Sequence, residues 1–159
     1  MTDVHTHAQR SRNMAAIRSK DTKPELRVRA VLHALGYRFR LHRKDLPGTP
    51  DIVLPKYRTA IFVQGCFWHS HMCRWGRVTP ATRPAFWAEK RAGTVERDRR
   101  KFQALLDLGW RVIAIWECET KDVDELRKLL QERMNDLEAM SQNDANIPEI
   151  KGRLIQGDR

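Results

Sequence analysis

TAIFVQGCFWHSHMC, residues 59–73, joins a run of β-branched and apolar residues to a cluster of sulfur and imidazole side chains. Thr59 to Val63 have the composition of a short buried strand, and Gly65 permits a sharp exit from it. Directly beyond, Cys66, His71 and Cys73 offer metal-ligating side chains, and Cys118, the remaining cysteine, can complete a tetrahedral set from far along the chain. Thiolates with one imidazole suit a closed structural zinc site. Phe67, Trp68 and His69 lie between the ligands, so a bound metal would hold two aromatics and an imidazole on a rigid mount. The opposing reading, small buried cysteines in an ordinary core turn, leaves that density of chemistry unused.

At 159 residues the chain suits one domain with a hydrophobic core. The net charge of +10 and sequence pI near 10.1 are Arg-rich and point to a polyanionic partner. Three cysteines cannot form a complete disulfide set, and their clustering with histidine argues for metal in a reducing compartment. No N-terminal apolar segment and no run of ~18 apolar residues occurs, so a cytoplasmic protein without membrane spans is expected.

Residues 1–10 are polar. Ser11 offers an N-cap for a short helix over 13–18, where Met14 and Ile17 share a face beside Arg10, Arg12, Arg18 and Lys20. That helix either docks on the core or forms a basic arm whose apolar wedge enters a DNA groove. Thr22 and Glu25 have capping-box spacing around Pro24, and the helix they open ends at Gly36. Strands are expected at 37–41, 52–54 and 59–63. Helices follow at 86–91 and 95–108, a strand at 110–116, a last helix at 122–140, and a polar, poorly ordered tail. This order specifies an α/β domain with a mixed central sheet flanked by helices. We divide it as 1–20 (arm and short helix), 21–140 (main domain) and 141–159 (tail).

Asp51 follows a proline turn at the mouth of a strand, where a hard cation can reach both its carboxylate and a phosphate. The neighbouring strand ends at Val63 and Gln64, whose backbone carbonyls can add oxygen ligands. Mg²⁺ held by few protein oxygens plus phosphate oxygens suits phosphodiester cleavage. Glu25 can supply a further carboxylate, although the capping box accounts for it by itself. His69 is free to act as general base if His71 ligates the metal; the reverse assignment, His69 as ligand and His71 free, stays open. Asp98 can orient the imidazole or belong to a solvated helix face.

Several segments carry a resemblance to the very short patch repair (Vsr-type) DNA mismatch endonucleases: RSRNMAAI at 10–17, KDTKPE at 20–25, LPGTPD at 46–51, GCFWH at 65–69, FWAEK at 86–90 and VERDRR at 95–100. The resemblance implies a restriction-endonuclease-like fold with a structural Zn²⁺ on Cys66, His71, Cys73 and Cys118. It implies a Mg²⁺-dependent nick 5′ to the thymine of a T:G mismatch in double-stranded DNA, left by deamination of 5-methylcytosine. By position it makes Asp51 the metal carboxylate, His69 the base, and Glu25 and Asp98 supporting acids. Phe67, Trp68 and Trp87 become an aromatic wedge, Lys90 a mismatch reader and the Met14 helix a minor-groove element. It further implies a functional link to a cytosine-5 methyltransferase, contact with general mismatch-repair proteins, and a bacterial, nucleoid-associated setting. A monomer is expected, because nicking one strand needs one active site. Two positions depart from the family pattern. Gln64 stands where histidine is usual and cannot carry a proton near neutral pH; Thr94 stands where Asn is frequent. The rival expectations are a sequence-specific restriction-type nuclease and a mismatch-binding protein that no longer cuts.

Overall fold

The computed structural model describes residues 6–16, 20–144 and 154–155. Its centre is a mixed sheet in the order β1 (Arg40–Leu41), β2 (Ile52–Leu54), β3 (Thr59–Gln64), β4 (Arg111–Trp116), β5 (Leu154–Ile155). β1–β2 and β2–β3 pair antiparallel, whereas β3–β4 and β4–β5 are parallel. The helices are α1 (His7–Ala16), α2 (Lys23–Ala34), α3 (Pro84–Asp107) and α4 (Val123–Asp144).

Side chains alternate across a strand, and the two faces of this sheet are buried under different helices. Ile52, Leu54, Ile61, Ile113 and Ile115 pack with Val28 and Leu32 of α2 and Leu126, Leu130 and Met134 of α4. On the other face Val53, Ala60, Phe62 and Val112 meet Phe102 and Leu105 of α3. Truncating a fully buried side chain such as Ile61 or Ile113 to alanine would cost about 2–5 kcal/mol. The sheet is therefore the middle of three layers, as the apolar runs of β3 and β4 require.

Helix boundaries follow local capping. Thr6 and Gln9 cap α1 reciprocally, the Thr6 amide donating to Gln9 Oε1 at 2.8 Å and the Gln9 amide to Thr6 Oγ1 at 3.2 Å. The helix thus begins a full turn before Ser11, which lies inside it and is not its cap. Ile17 and the Met14 side chain lie outside the described residues. At the end of α2, Gly36 adopts φ +87° and the Tyr37 amide reaches back to the Leu32 carbonyl at 3.0 Å, a Schellman close.

Three other expectations are corrected. The segments 86–91 and 95–108 form one helix: Gly93 sits in its interior at a cost of ~1 kcal/mol against alanine, and Thr94 Oγ1 bonds the Lys90 carbonyl at 3.1 Å. The strand at 37–41 shrinks to Arg40–Leu41. In the tail, expected to be poorly ordered, Leu154–Ile155 pair as β5 beside β4. Because β2 runs opposite to β3 and β4, the start of β2 and the ends of β3 and β4 meet at one end of the sheet. Asp51, the loop after β3 and Cys118 are delivered there.

Candidate functional site

A cleft of about 370 Å³ opens at this end, lined by Asp51, Val63, Gln64, His69, Asp98 and Lys101 among others. Asp51 Oδ2 accepts the Val63 amide at 2.8 Å. Burial pushes the Asp51 carboxyl up to about 6; the Val63 N–H opposes this and the nearby Glu25 charge adds to it. A carboxylate so placed gains from a cation.

Glu25 is 2% exposed and joins a helix cap to an ion-pair network. Its amide takes Thr22 Oγ1 at 3.4 Å and its Oε2 accepts the Asp21 amide at 3.0 Å, which caps α2. Its Oε1 meets the Arg29 guanidinium and lies 3.0 Å from His42 Nε2. Asp21, Glu25 and His42 place donor atoms within 4.8 Å of one another, but Arg29 bonds all three, which makes this an ion-pair network.

The structure separates the two histidines whose roles the sequence left open. His69 Nδ1 pairs with Asp98 Oδ2, and Asp98 is buried on α3. A neutral imidazole held this way carries its proton on Nδ1 and keeps Nε2 as an acceptor. His71 instead joins Cys66, Cys73 and Cys118, whose donor atoms all lie within 4.8 Å of one another. His71 Nδ1 is 3.5 Å from Cys118 Sγ. A tetrahedral ion with Zn–S near 2.3 Å and Zn–N near 2.0–2.1 Å separates S and N by about 3.5 Å, so the donor set fits zinc in spacing as well as chemistry. Burial drives the Cys66 thiol up to about 12; a metal would bind it as thiolate. Trp116 stacks on the His71 ring at 4.2 Å between centroids and fixes its plane. A Cβ on Gly76 would fall 1.8 Å from the His71 carbonyl oxygen, so the loop can close only with glycine there.

Beside the cleft, Phe67, Trp68 and Trp87 form a mutual edge-to-face triangle with centroids 5.3–5.7 Å apart. The Lys90 ammonium lies 5.5–5.7 Å from Trp68, Phe86 and Trp87. Arg91 braces the mount, its guanidinium donating to the Gly76 and Val78 carbonyls and lying over Phe67.

Sequence reasoning missed Arg29, His42, Phe86 and Lys101. Arg29 was within reach, being four residues from Glu25 on one helix face, and Lys101 stands three from Asp98. His42 gave no signal, because it meets Glu25 only through the register of the short edge strand β1.

The family model for DNA mismatch endonuclease Vsr matches residues 2–75. The DNA mismatch endonuclease Vsr of Escherichia coli (strain K12) is 47% identical over 137 residues, covering 86% of this chain and 87% of that protein. The chain belongs to the Vsr family. Among other Vsr relatives, the type II nicking enzyme V.XorIIP of Xanthomonas oryzae pv. oryzae is 50% identical over 82% of this chain and 96% of its own length. V.NmeAIP of Neisseria meningitidis is 43% identical over 86% and 94%. This member of the Vsr family is a DNA endonuclease. Among the described residues no helix is long and apolar enough to cross a membrane.

Proposed function

We propose that the chain nicks double-stranded DNA 5′ to the thymine of a T:G mismatch, using Mg²⁺ in the cleft and Zn²⁺ in the loop. The observation that carries this reading is the His69–Asp98 pair sharing one cleft with Asp51, beside an aromatic cluster. The reading takes the mixed sheet as a restriction-endonuclease-like core and keeps residues 1–20 as a DNA-contacting arm; α1 is largely exposed along its described face. It takes the enzyme to act as a monomer.

Asp51 and the Val63 carbonyl would hold Mg²⁺. An extended residue points its N–H and C=O to the same edge, and the Val63 amide already faces Asp51. The ion, when bound, polarises the phosphoryl group and neutralises developing charge. His69 Nε2 takes a proton from the attacking water, and Asp98 stabilises the imidazolium. The water oxygen–phosphorus bond forms as the phosphorus–O3′ bond breaks, and the leaving oxygen takes a proton from solvent. The products are a 5′-phosphate and a 3′-hydroxyl. Incubating a T:G duplex, each strand end-labelled in turn, with Mg²⁺ or with EDTA tests this. A Mg²⁺-dependent nick in the T strand alone is expected; EDTA-resistant cutting or cutting of both strands contradicts it.

Opening a base step costs a few kcal/mol, least at a mismatch, and each stacked ring returns about 1–3 kcal/mol. Trp68→Ala should therefore reduce the T:G over T:A rate ratio by roughly 5- to 100-fold. An unchanged ratio would place Trp68 in packing alone. Purified protein should carry about one equivalent of zinc, and Cys118→Ser should release it and lower the melting temperature. Less than about half an equivalent in the parent protein counts against the zinc assignment. A restriction-type nuclease and a non-cutting binder are not favoured, given relatives named as nicking enzymes and a complete acid–base pair.

A further inference from the structure

Three lysines line the cleft, Lys20, Lys44 and Lys101. Lys20 and Lys44 are exposed, whereas Lys101 is half-buried. Its stem crosses the Pro47–Gly48 turn so closely that a Cβ on Gly48 would lie 2.8–3.0 Å from three of its side-chain carbons. Gly48, at φ +76°, is thus the residue that lets Lys101 pass. The Lys101 ammonium lies 3.8 Å from Asp98 Oδ1. That is an ion-pair distance too long for a hydrogen bond, so its N–H donors remain available to an anion. Across the same cleft Gln64, which is buried, can donate a hydrogen bond but brings no charge.

Resting on the nicking reading above, we propose that Lys101 is a further catalytic residue, whose ammonium contacts the scissile phosphate and stabilises the negative charge that builds on its oxygens during displacement. A cation held by its stem and aimed into a cleft needs no reorganisation when that charge develops, which is where such groups act most strongly. No proton is transferred from Lys101; the water proton goes to His69 as before. The exposed Lys20 and Lys44 suit the strand to either side, where loss of one contact weakens binding and leaves the chemical step alone.

The test compares Lys101→Met and Lys101→Arg with the parent protein at one ionic strength, measuring single-turnover nicking at saturating enzyme and, separately, the DNA Kd in EDTA. Lys101→Met is expected to lose roughly 10²-fold in the chemical rate with Kd changed less than about threefold, zinc content retained, and Lys101→Arg recovering part of the loss. A parent-like rate, or a loss seen only in Kd, overturns the inference. Asp98→Asn separates direct from indirect action. If Lys101 touches phosphate, the two losses multiply in the double variant; if Lys101→Met has no effect once Asp98 is changed, Lys101 acts only through Asp98 and the inference falls. All variants are assayed on whichever duplex the parent protein cuts, so a parent that prefers fully paired DNA sinks the mismatch reading while the Lys101 comparison still stands or falls by itself.

Discussion

Replacing His69 by alanine is expected to slow nicking by roughly 10²–10⁴-fold, the usual worth of a positioned general base. Zinc content and folding should stay intact. The expectation follows from what His69 touches. Its ring pairs with Asp98 and faces the cleft, while the metal-type cluster is complete without it. Its side chain is only partly buried, at 23% exposure, so truncation leaves no sealed core cavity. Asp98→Asn should be slower than the parent as well, since an amide at that position no longer offers charge to the imidazolium. Rates from single-turnover assays, set beside zinc analysis of the same preparations, check this. Loss of zinc in His69→Ala would reverse the assignment of the two histidines.

Asp51→Asn should abolish metal-dependent nicking, a loss on the order of 10³-fold or more because several kcal/mol of charge stabilisation depend on the ion it holds. The same variant should be more stable than the parent without metal. Burial raises the Asp51 carboxyl from its ordinary 3.8 to about 6 in the fold. Its ionised form is therefore disfavoured by folding, a penalty fully present above about pH 6 and fading as pH falls towards 4. Asparagine carries no such penalty and can still accept the Val63 amide. Denaturation in EDTA at pH 7.5 should show Asp51→Asn more stable by on the order of 2–3 kcal/mol, with the gap closing near pH 4. A parent protein equally or more stable at neutral pH would contradict the view that the cleft stores an uncompensated carboxylate for the metal, a trade of stability for function.

The central strand could be read from residues 59–63 because a run buried on both faces leaves a β-branched, apolar composition. The cysteine–histidine set could be read from ligand chemistry, and Asp51 from its place after a turn. What spacing could not give was which histidine went where. That depended on α3 bringing Asp98 to His69, a contact made over 29 positions. The long helix is expected as two pieces, 86–91 and 95–108, but strong helix formers on both sides of Gly93 carry it through as one. The start of α1 was missed because Ser11 resembled a cap while the true reciprocal pair, Thr6 and Gln9, lay one turn earlier. The role of His42 was invisible because a strand of two residues leaves no periodic signature.

The most direct test of mismatch-directed nicking is the single-turnover cleavage rate, in Mg²⁺, on two duplexes identical except for one base: thymine opposite guanine in one, thymine opposite adenine in the other. The account predicts a nick 5′ to the mismatched thymine and a T:G rate exceeding the T:A rate by at least about fivefold, the least that one stacked ring of about 1–3 kcal/mol provides. Equal rates on the two duplexes would contradict it and return the chain to a nuclease that reads paired sequence.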